Sequence, residues 1–204
     1  TFLILGILII LMNIGLMFVH EPIDNKRQNN QKVTDQMIRE KLGSNNIIRN
    51  TLIKRNVKVL DNCVIGKHGF GFFPISNKNS RYPHIGLVLI EDNCEIGCNS
   101  TIDRGSMSNT IIGKNTYLDN QIHIAHNVKI GENTIIAGQV GIAGSSIIGN
   151  NVKIGGQAGI SGHLKIGNNV EIGGGSGVIK DIPDDTKVMG YPAKNIREFL
   201  KDNR

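Results

Sequence analysis

The chain has 204 residues, 25 of them glycine, with 4% aromatics, no tryptophan and a formal net charge of +6. This length holds one domain and an appendage, and glycines that recur in register exclude a disordered low-complexity chain. The positive charge reads either as a solvated basic surface or as the mark of an anionic partner, but with no arginine-rich run, zinc pattern or aromatic–basic interleaving it does not point to nucleic acid.

Residues 2–19 (FLILGILIILMNIGLMFV) are apolar apart from Asn13 and the glycines, at the lower edge of what spans a membrane. No basic segment precedes them and no cleavage pattern follows, so they read poorly as a signal peptide. Residues 22–46 are polar and rich in Asn, Gln and Lys. A short helix is expected there, from Gln36 to Leu42, behind a capping Thr34 or Asp35.

A spacing of six then sets in at Ile47, Ile53, Val59 and Ile65. It stops for a loop from Gly66 to Gly86 that holds Phe70, Phe72, Phe73, Pro74, Tyr82 and Pro83. It resumes at Ile90, Ile96 and Ile102, and slips by four residues over Arg104–Thr110. From Ile112 it runs unbroken through Leu118, Ile124, Ile130, Ile136, Ile142, Ile148, Ile154, Ile160, Ile166 and Ile172 to Val178. The next residue is nearly always small or turn-forming, as in Gly113, Ala125, Gly131, Ala143, Gly149 and Ser161. Neither a helix of period 3.6 nor a plain strand of period 2 has this pattern. A six-residue repeat is the mark of a parallel β-helix, one short strand and one turn per repeat, three repeats per triangular coil. The aliphatic residue points inward and the small residue fits the corner. A narrow interior filled by Ile, Val and Leu also accounts for the scarcity of aromatics.

The reading is therefore an all-β chain, with residues 1–46 as an atypical appendage, 47–182 as a β-helix of roughly six coils and 183–204 as an extension closed by Pro183 and Pro192. The last segment, Ala193–Arg204, carries Lys194, Arg197, Lys201 and Arg204 and reads as a short basic helix. The sequence alone does not show the hand; known hexapeptide families wind left-handed, against the usual crossover preference. Cys63, Cys94 and Cys98 are too few and too unevenly spaced for a disulfide framework or a zinc site and are read as free thiols of a reducing compartment.

On an eighteen-residue coil His126 and Gly144 stack, Gly162 stacks above them and His163 follows it. Adjacent coils lie about 4.8 Å apart. His126 falls outside the inward set and its ring should point outward. An imidazole there can take a proton near neutral pH, and a backbone N–H at a glycine turn can donate to an oxyanion. An ordinary solvated histidine fits the stacking equally well.

Five motifs narrow the choice: GFGF at 69–72, TIDRG at 101–105, LDNQIHIAHNVKIG at 118–131, AGQVGIAGS at 137–145 and GGQAGISGHLKIG at 155–167. In this order and spacing the stretch from Gly69 to Arg204 resembles the UDP-3-O-acylglucosamine N-acyltransferase family of lipid A biosynthesis. The resemblance implies a left-handed β-helix and direct transfer of a 3-hydroxyacyl chain from acyl carrier protein to the 2-amine of a UDP-3-O-acyl-glucosamine. It implies His126 as general base, Gly144 as the backbone donor to the oxyanion, and His163 as a second functional histidine near the donor or the nucleotide phosphates. Asp119, Asn120 and Asn127 flank the base and orient it or the sugar. It implies no metal and no resident cofactor, the acyl group arriving on the phosphopantetheine of acyl carrier protein. It also implies a homotrimer with His126 facing a second subunit, in the cytoplasm of a Gram-negative bacterium, with membrane contact through residues 2–19 left open. The basic C-terminal residues match an acidic carrier protein.

Residues 1–46 depart from the family, which carries a small α/β domain that grips the uridine. A truncated or misread N-terminus is the expected reason, and a membrane anchor the competing one. Three other functions fit parts of the pattern. The sister UDP-N-acetylglucosamine O-acyltransferase shares the fold and the IAH motif, though TIDRG and GISGH favour the N-acyl enzyme. A metal-dependent carbonic anhydrase requires His123, His126 and His163 to converge on zinc. A structural β-helix needs no chemistry.

Overall fold

The computed structural model describes residues 9–11, 16–18 and 42–202. Within them the hexads wind into a left-handed parallel β-solenoid of about eight turns. Three flat sheets form the faces of a prism. The first face stacks Thr51–Ile53, Val88–Ile90, Thr110–Ile112, Lys129–Ile130, Ile147–Ile148 and Lys165–Ile166. The second runs from Lys58–Val59 through Glu95–Ile96 and Tyr117–Leu118 to Glu171–Ile172 and Lys187–Met189. The third has seven strands, from Ile47–Ile48 through Val64–Lys67, Thr101–Asp103, His123–Ile124, Gly141–Ile142 and Gly159–Ile160 to Gly177–Val178.

Seven strands on one face exceed the six coils expected from the repeat. The hexads themselves begin and end on that face, at Ile47 and Val178, and further rungs cap the other two faces, where Leu42 bridges Val59, Ile182 bridges Ile166 and Val188 pairs with Ile172. The inward aliphatics form one continuous core, with Ile96, Ile102, Ile112, Ile124, Ile136 and Ile142 fully buried. A second inward position, two residues earlier, takes smaller side chains such as Val128, Val140, Thr116, Thr134 and Ser146. Cys63 and Cys94 occupy this position as buried free thiols, each bonded to a backbone carbonyl at 3.1 Å. Burial pushes the Cys94 thiol up to about 11.

The corners differ from the simple expectation. The small residue directly after the aliphatic is there because the next coil passes close: a Cβ on Gly131 would lie 2.5 Å from the Gly149 carbonyl oxygen. The turn itself is made two residues later by a side-chain-bearing residue in the left-handed region. After the first face this is Asn115, Asn133, Asn151 and Asn169; after the second, Gln121, Gln139 and Gln157; after the third, Asn127, Ser145 and His163. Asn tolerates this region better than most residues, and stacked amides add a ladder. Asn115 donates to Asn133 at 2.8 Å and Asn151 to Asn169 at 3.0 Å; Gln157 donates to Gln139 and Gln139 to Gln121 at 2.9 and 2.8 Å.

Both interruptions of the repeat leave the prism at the corner after the third face, the first following Ile65 and the second following Ile102. The first carries an antiparallel hairpin, Phe72–Ile75 with Lys78–Arg81, and the second packs against it, Ile85 N–H donating to the Ser106 carbonyl at 2.9 Å. At the lower end Ile9–Leu11 pairs antiparallel with Leu16–Phe18, which meets the first face at Met17 and Ile53. The helix expected over Gln36–Leu42 lies outside the described residues except for Leu42, which is in a β-bridge. Among the described residues no helix is long and apolar enough to cross a membrane. The expected C-terminal helix is present at Ile196–Asp202.

Candidate functional site

His126 sits at the corner after the third face, with Gly144 one coil above. A Cβ on Gly144 would lie 2.8 Å from both Cε1 and Nε2 of His126, so the imidazole lies flat against the glycine. Only glycine leaves room for the ring there. The register is that of exact stacking: Ser145 N–H donates to the His126 carbonyl at 2.9 Å and His163 N–H to the Gly144 carbonyl at 3.0 Å. The Gly144 N–H has no protein acceptor among the described residues.

Asn127 fixes the ring from below. Its Oδ1 accepts the Ser106 N–H at 2.7 Å, which turns Nδ2 toward Ser106 Oγ at 2.8 Å and His126 Nδ1 at 3.2 Å. Ser106 belongs to the second interruption of the repeat, so that loop helps to hold the His126 ring. The first interruption covers the other side. Gly69 is wedged between His126 and His84; a Cβ there would lie 2.8 Å from the His126 Cβ and 2.9 Å from His84 Nε2. The two rings meet edge to face with centroids 5.3 Å apart. His84 is buried, its Nδ1–H donates to the Tyr82 carbonyl at 2.9 Å, and its Nε2 has no hydrogen-bond partner among the described residues. Burial pushes this ring below the usual imidazole range.

A groove of about 760 Å³ runs from His126 along the third face. Its floor is a column of residues in register, His123, Gly141, Gly159 and Gly177. Nothing lies within 4 Å of a Cβ placed on Gly141 or Gly159, so the floor is open space rather than packed surface. Phe70, 81% exposed, flanks the histidine end, and Tyr191 closes the other by lying across Gly177. The strip between is mostly aliphatic and glycine, suited to a hydrocarbon chain.

Of the residues singled out in the sequence, His126, Gly144 and Asn127 come together. His163 is on the same edge, exposed, in the turn above Ser145, and does not line the groove. Asp119 and Asn120 are on the neighbouring corner, one face away: Asp119 Oδ1 accepts the Asn120 N–H at 2.7 Å, and Asn120 Oδ1 accepts the Cys98 N–H at 2.8 Å. Among the described residues no three His, Cys, Asp or Glu side chains converge as metal ligands, so His123, His126 and His163 do not form the zinc set of a carbonic anhydrase. Sequence reasoning missed His84, Asp103 and Phe70 as parts of the site. Phe70 and Asp103 stand inside GFGF and TIDRG, so the signal was present as a motif without a role.

The model of the bacterial transferase hexapeptide (six repeats) matches residues 109–144 and 145–180. The UDP-3-O-acylglucosamine N-acyltransferase of Agrobacterium fabrum is 50% identical over 151 residues, covering 74% of this chain and 42% of that protein. The enzyme of the same name from Caulobacter vibrioides is 44% identical over 162 residues, covering 79% and 48%. The chain thus spans less than half the length of these relatives. Among solved structures, UDP-N-acetylglucosamine O-acyltransferase from Moraxella catarrhalis is 25% identical with a TM-score of 0.55, covering 80% of this chain and 75% of that one. The UDP-N-acetylglucosamine acyltransferase of Francisella novicida is 25% identical with a TM-score of 0.56, covering 79% and 64%. The nearer likeness in sequence is to the N-acyltransferases: over its β-helix the chain is similar to two proteins named UDP-3-O-acylglucosamine N-acyltransferase, at 44–50% identity.

Proposed function

We propose that this protein transfers a 3-hydroxyacyl chain from the phosphopantetheine thioester of acyl carrier protein to the 2-amine of a UDP-3-O-acyl-glucosamine, in the lipid A pathway of a Gram-negative cytoplasm. The observation that carries the reading is the His126–Gly144 pair at the head of a long apolar groove. His126 takes a proton from the amine as it attacks the thioester carbonyl. The Gly144 N–H donates to the oxyanion of the tetrahedral intermediate. The thiolate leaves with a proton returned by His126, so the base is regenerated. The groove along Gly141 and Gly159 takes the acyl chain. No step calls for a metal or a protein nucleophile: Cys63 and Cys94 are buried in the core, away from the groove.

His163, one turn above Gly144 and exposed, is within reach of a phosphate on the donor or the nucleotide. The carrier protein is acidic in this reading and meets the C-terminal helix, where Arg197 and Lys201 have no ion pair among the described residues, while Lys194, just before the helix, is engaged by Asp202. The working assembly is a homotrimer in which a neighbouring prism supplies the second wall of the groove. Sedimentation as a stable monomer under native conditions would overturn the trimer.

The competing O-acyl reading rests on the solved neighbours and differs only in the acceptor. Incubating the protein with acyl-carrier thioester and each acceptor separately decides between them. Acylation of the amine of a UDP-3-O-acyl-glucosamine is expected; acylation of the 3-hydroxyl of UDP-N-acetylglucosamine would overturn the proposal.

A further inference from the structure

We propose that His123 is a second proton acceptor of this site, with buried Asp103 as the counter-charge that receives it once protonated. The inference rests on the acyl-transfer reading and concerns a residue that reading leaves unused. Two buried side-chain atoms among the described residues lack a hydrogen-bond partner, His84 Nε2 and Asp103 Oδ2. Asp103 is 1% exposed, at the end of the strand beneath His123. Its Oδ1 is held by the Lys67 ammonium, while Oδ2 stands 4.0 Å from His123 Nε2. An unpartnered carboxylate oxygen at that depth is costly to leave unsatisfied.

The His123 ring is set for this role by its other nitrogen. Thr101 Oγ1 lies 2.7 Å from Nδ1 and accepts its proton in one tautomer, which leaves the Nε2 lone pair facing both the groove and Asp103. In that neutral form Nε2 and Oδ2 are two acceptors, and the 4.0 Å gap between them is the separation two acceptors keep. A proton on Nε2 converts the gap into a charge-assisted hydrogen bond. The groups around the ring are few. Thr101 and Asp103 face it from the strand below, Lys67 from the strand beyond, and Gly141 from the strand above with no charge; His126 lines the same groove, and His84 and Arg81 belong to the covering loop.

The proton balance of acyl transfer leaves one proton for which the His126 cycle has no place. An amine acceptor enters near neutral pH largely as the ammonium, so the sum is ammonium plus thioester giving amide, thiol and one proton. His126 takes the proton lost in the tetrahedral intermediate and returns it to the departing thiolate. The ammonium's first proton is left over. His123 Nε2 accepts it, hydrogen-bonds Asp103 Oδ2, and passes it to solvent through a ring that is 47% exposed.

The test separates this role from the activity itself. In the whole protein, the Nε2–H proton of the protonated His123 ring is expected to resonate downfield in the NMR spectrum, as a charge-assisted hydrogen bond does, and to lose that shift in Asp103→Asn. A resonance that is the same in the two proteins overturns the pairing, whether or not the protein acylates anything. In acyl transfer, His123→Gln is expected to lose about ten- to a hundred-fold in kcat/KM at pH values where the acceptor is an ammonium. Activity should return toward wild type in alkali, where the amine arrives neutral. A loss of equal size across the pH range would instead mark His123 as a binding or structural residue and overturn the proton-acceptor role. His126→Ala, by contrast, should be impaired at every pH.

Discussion

Two corners of this prism and the third are built from the same hexad and end differently. After the first and second faces, the left-handed turn position is filled by Asn or Gln at coil after coil, and the amides bond up the edge. After the third face the same position reads Asn127, Ser145, His163, and no amide ladder forms. Both loops that break the repeat leave from this corner. The lesson is that a solenoid built from one-dimensional repeats can change one edge without disturbing the others, because each coil contacts only its neighbours. The ladders hold the scaffold; the edge without one carries the histidines.

The largest expected effect breaks the chemical side of this comparison. His126→Ala should reduce acyl transfer by about 10²–10⁴-fold, the cost of a lost general base. Thermal unfolding should hardly move, since the ring projects from the corner into the groove. Retention of near-full activity would remove His126 from the mechanism. On the scaffold side, Ile142→Ala empties a fully buried position directly beneath the same corner. It should destabilise by about 2–5 kcal/mol, read from denaturant unfolding.

The two kinds of corner can then be set against each other with one substitution. Gly144→Ala puts a Cβ 2.8 Å from the His126 ring, which is pinned by Asn127 and must move. A displacement of that order should cost about ten- to a hundred-fold in kcat. Gly138→Ala, at the corresponding place on the glutamine corner, meets first the Asp119 Oδ2 at 3.3 Å, the end of a side chain that can shift. It should leave the rate unchanged. Equal losses in the two variants would mean that the glycines act only through the fold.

Inside the prism a thiol distinguishes packing from chemistry. The Cys94 pKa is raised by burial from 9.0 to about 11, so its folded pKa lies above the unfolded one. Its contribution is complete below pH 9.0 and is lost as pH rises toward about 11, because the unfolded chain ionises first. Cys94→Ala should flatten the alkaline fall in stability by about 2 kcal/mol over that window. An unchanged slope would show that other groups govern it. The smallest effect sharpens the ladder: Gln139→Ala removes the middle amide of three and should cost about 1 kcal/mol, with no change in rate.

Much of this was legible in the residues. The spacing of six identified the solenoid, its inward positions and the order of its coils, and the eighteen-residue period alone stacked His126 on Gly144. The chain position of both interruptions could be read, since the aliphatic register stops and restarts there. The motifs around His126, Gly144 and Asn127 also drew attention to residues that do meet. By contrast Asp119 and Asn120, close to His126 in sequence, are on another corner, because the third-face strand His123–Ile124 lies between them and His126.

What the sequence determines by itself is periodic: hydrophobic burial repeated every six residues selects one architecture, and each coil follows from the one below. What only the tertiary structure decides is where the aperiodic parts land. The loops over residues 66–86 and 104–109 have no repeat to locate them, so nothing in the chain placed Gly69 against His126 or Ser106 under Asn127, and the spacing of six does not say that Asp103, at the end of its strand, is closed from water. Those contacts join residues far apart in sequence through backbone that bonds across coils, and their consequences, a buried lone pair on His84 and an unpartnered oxygen on Asp103, come from desolvation that exists only once the prism and its loops have closed together.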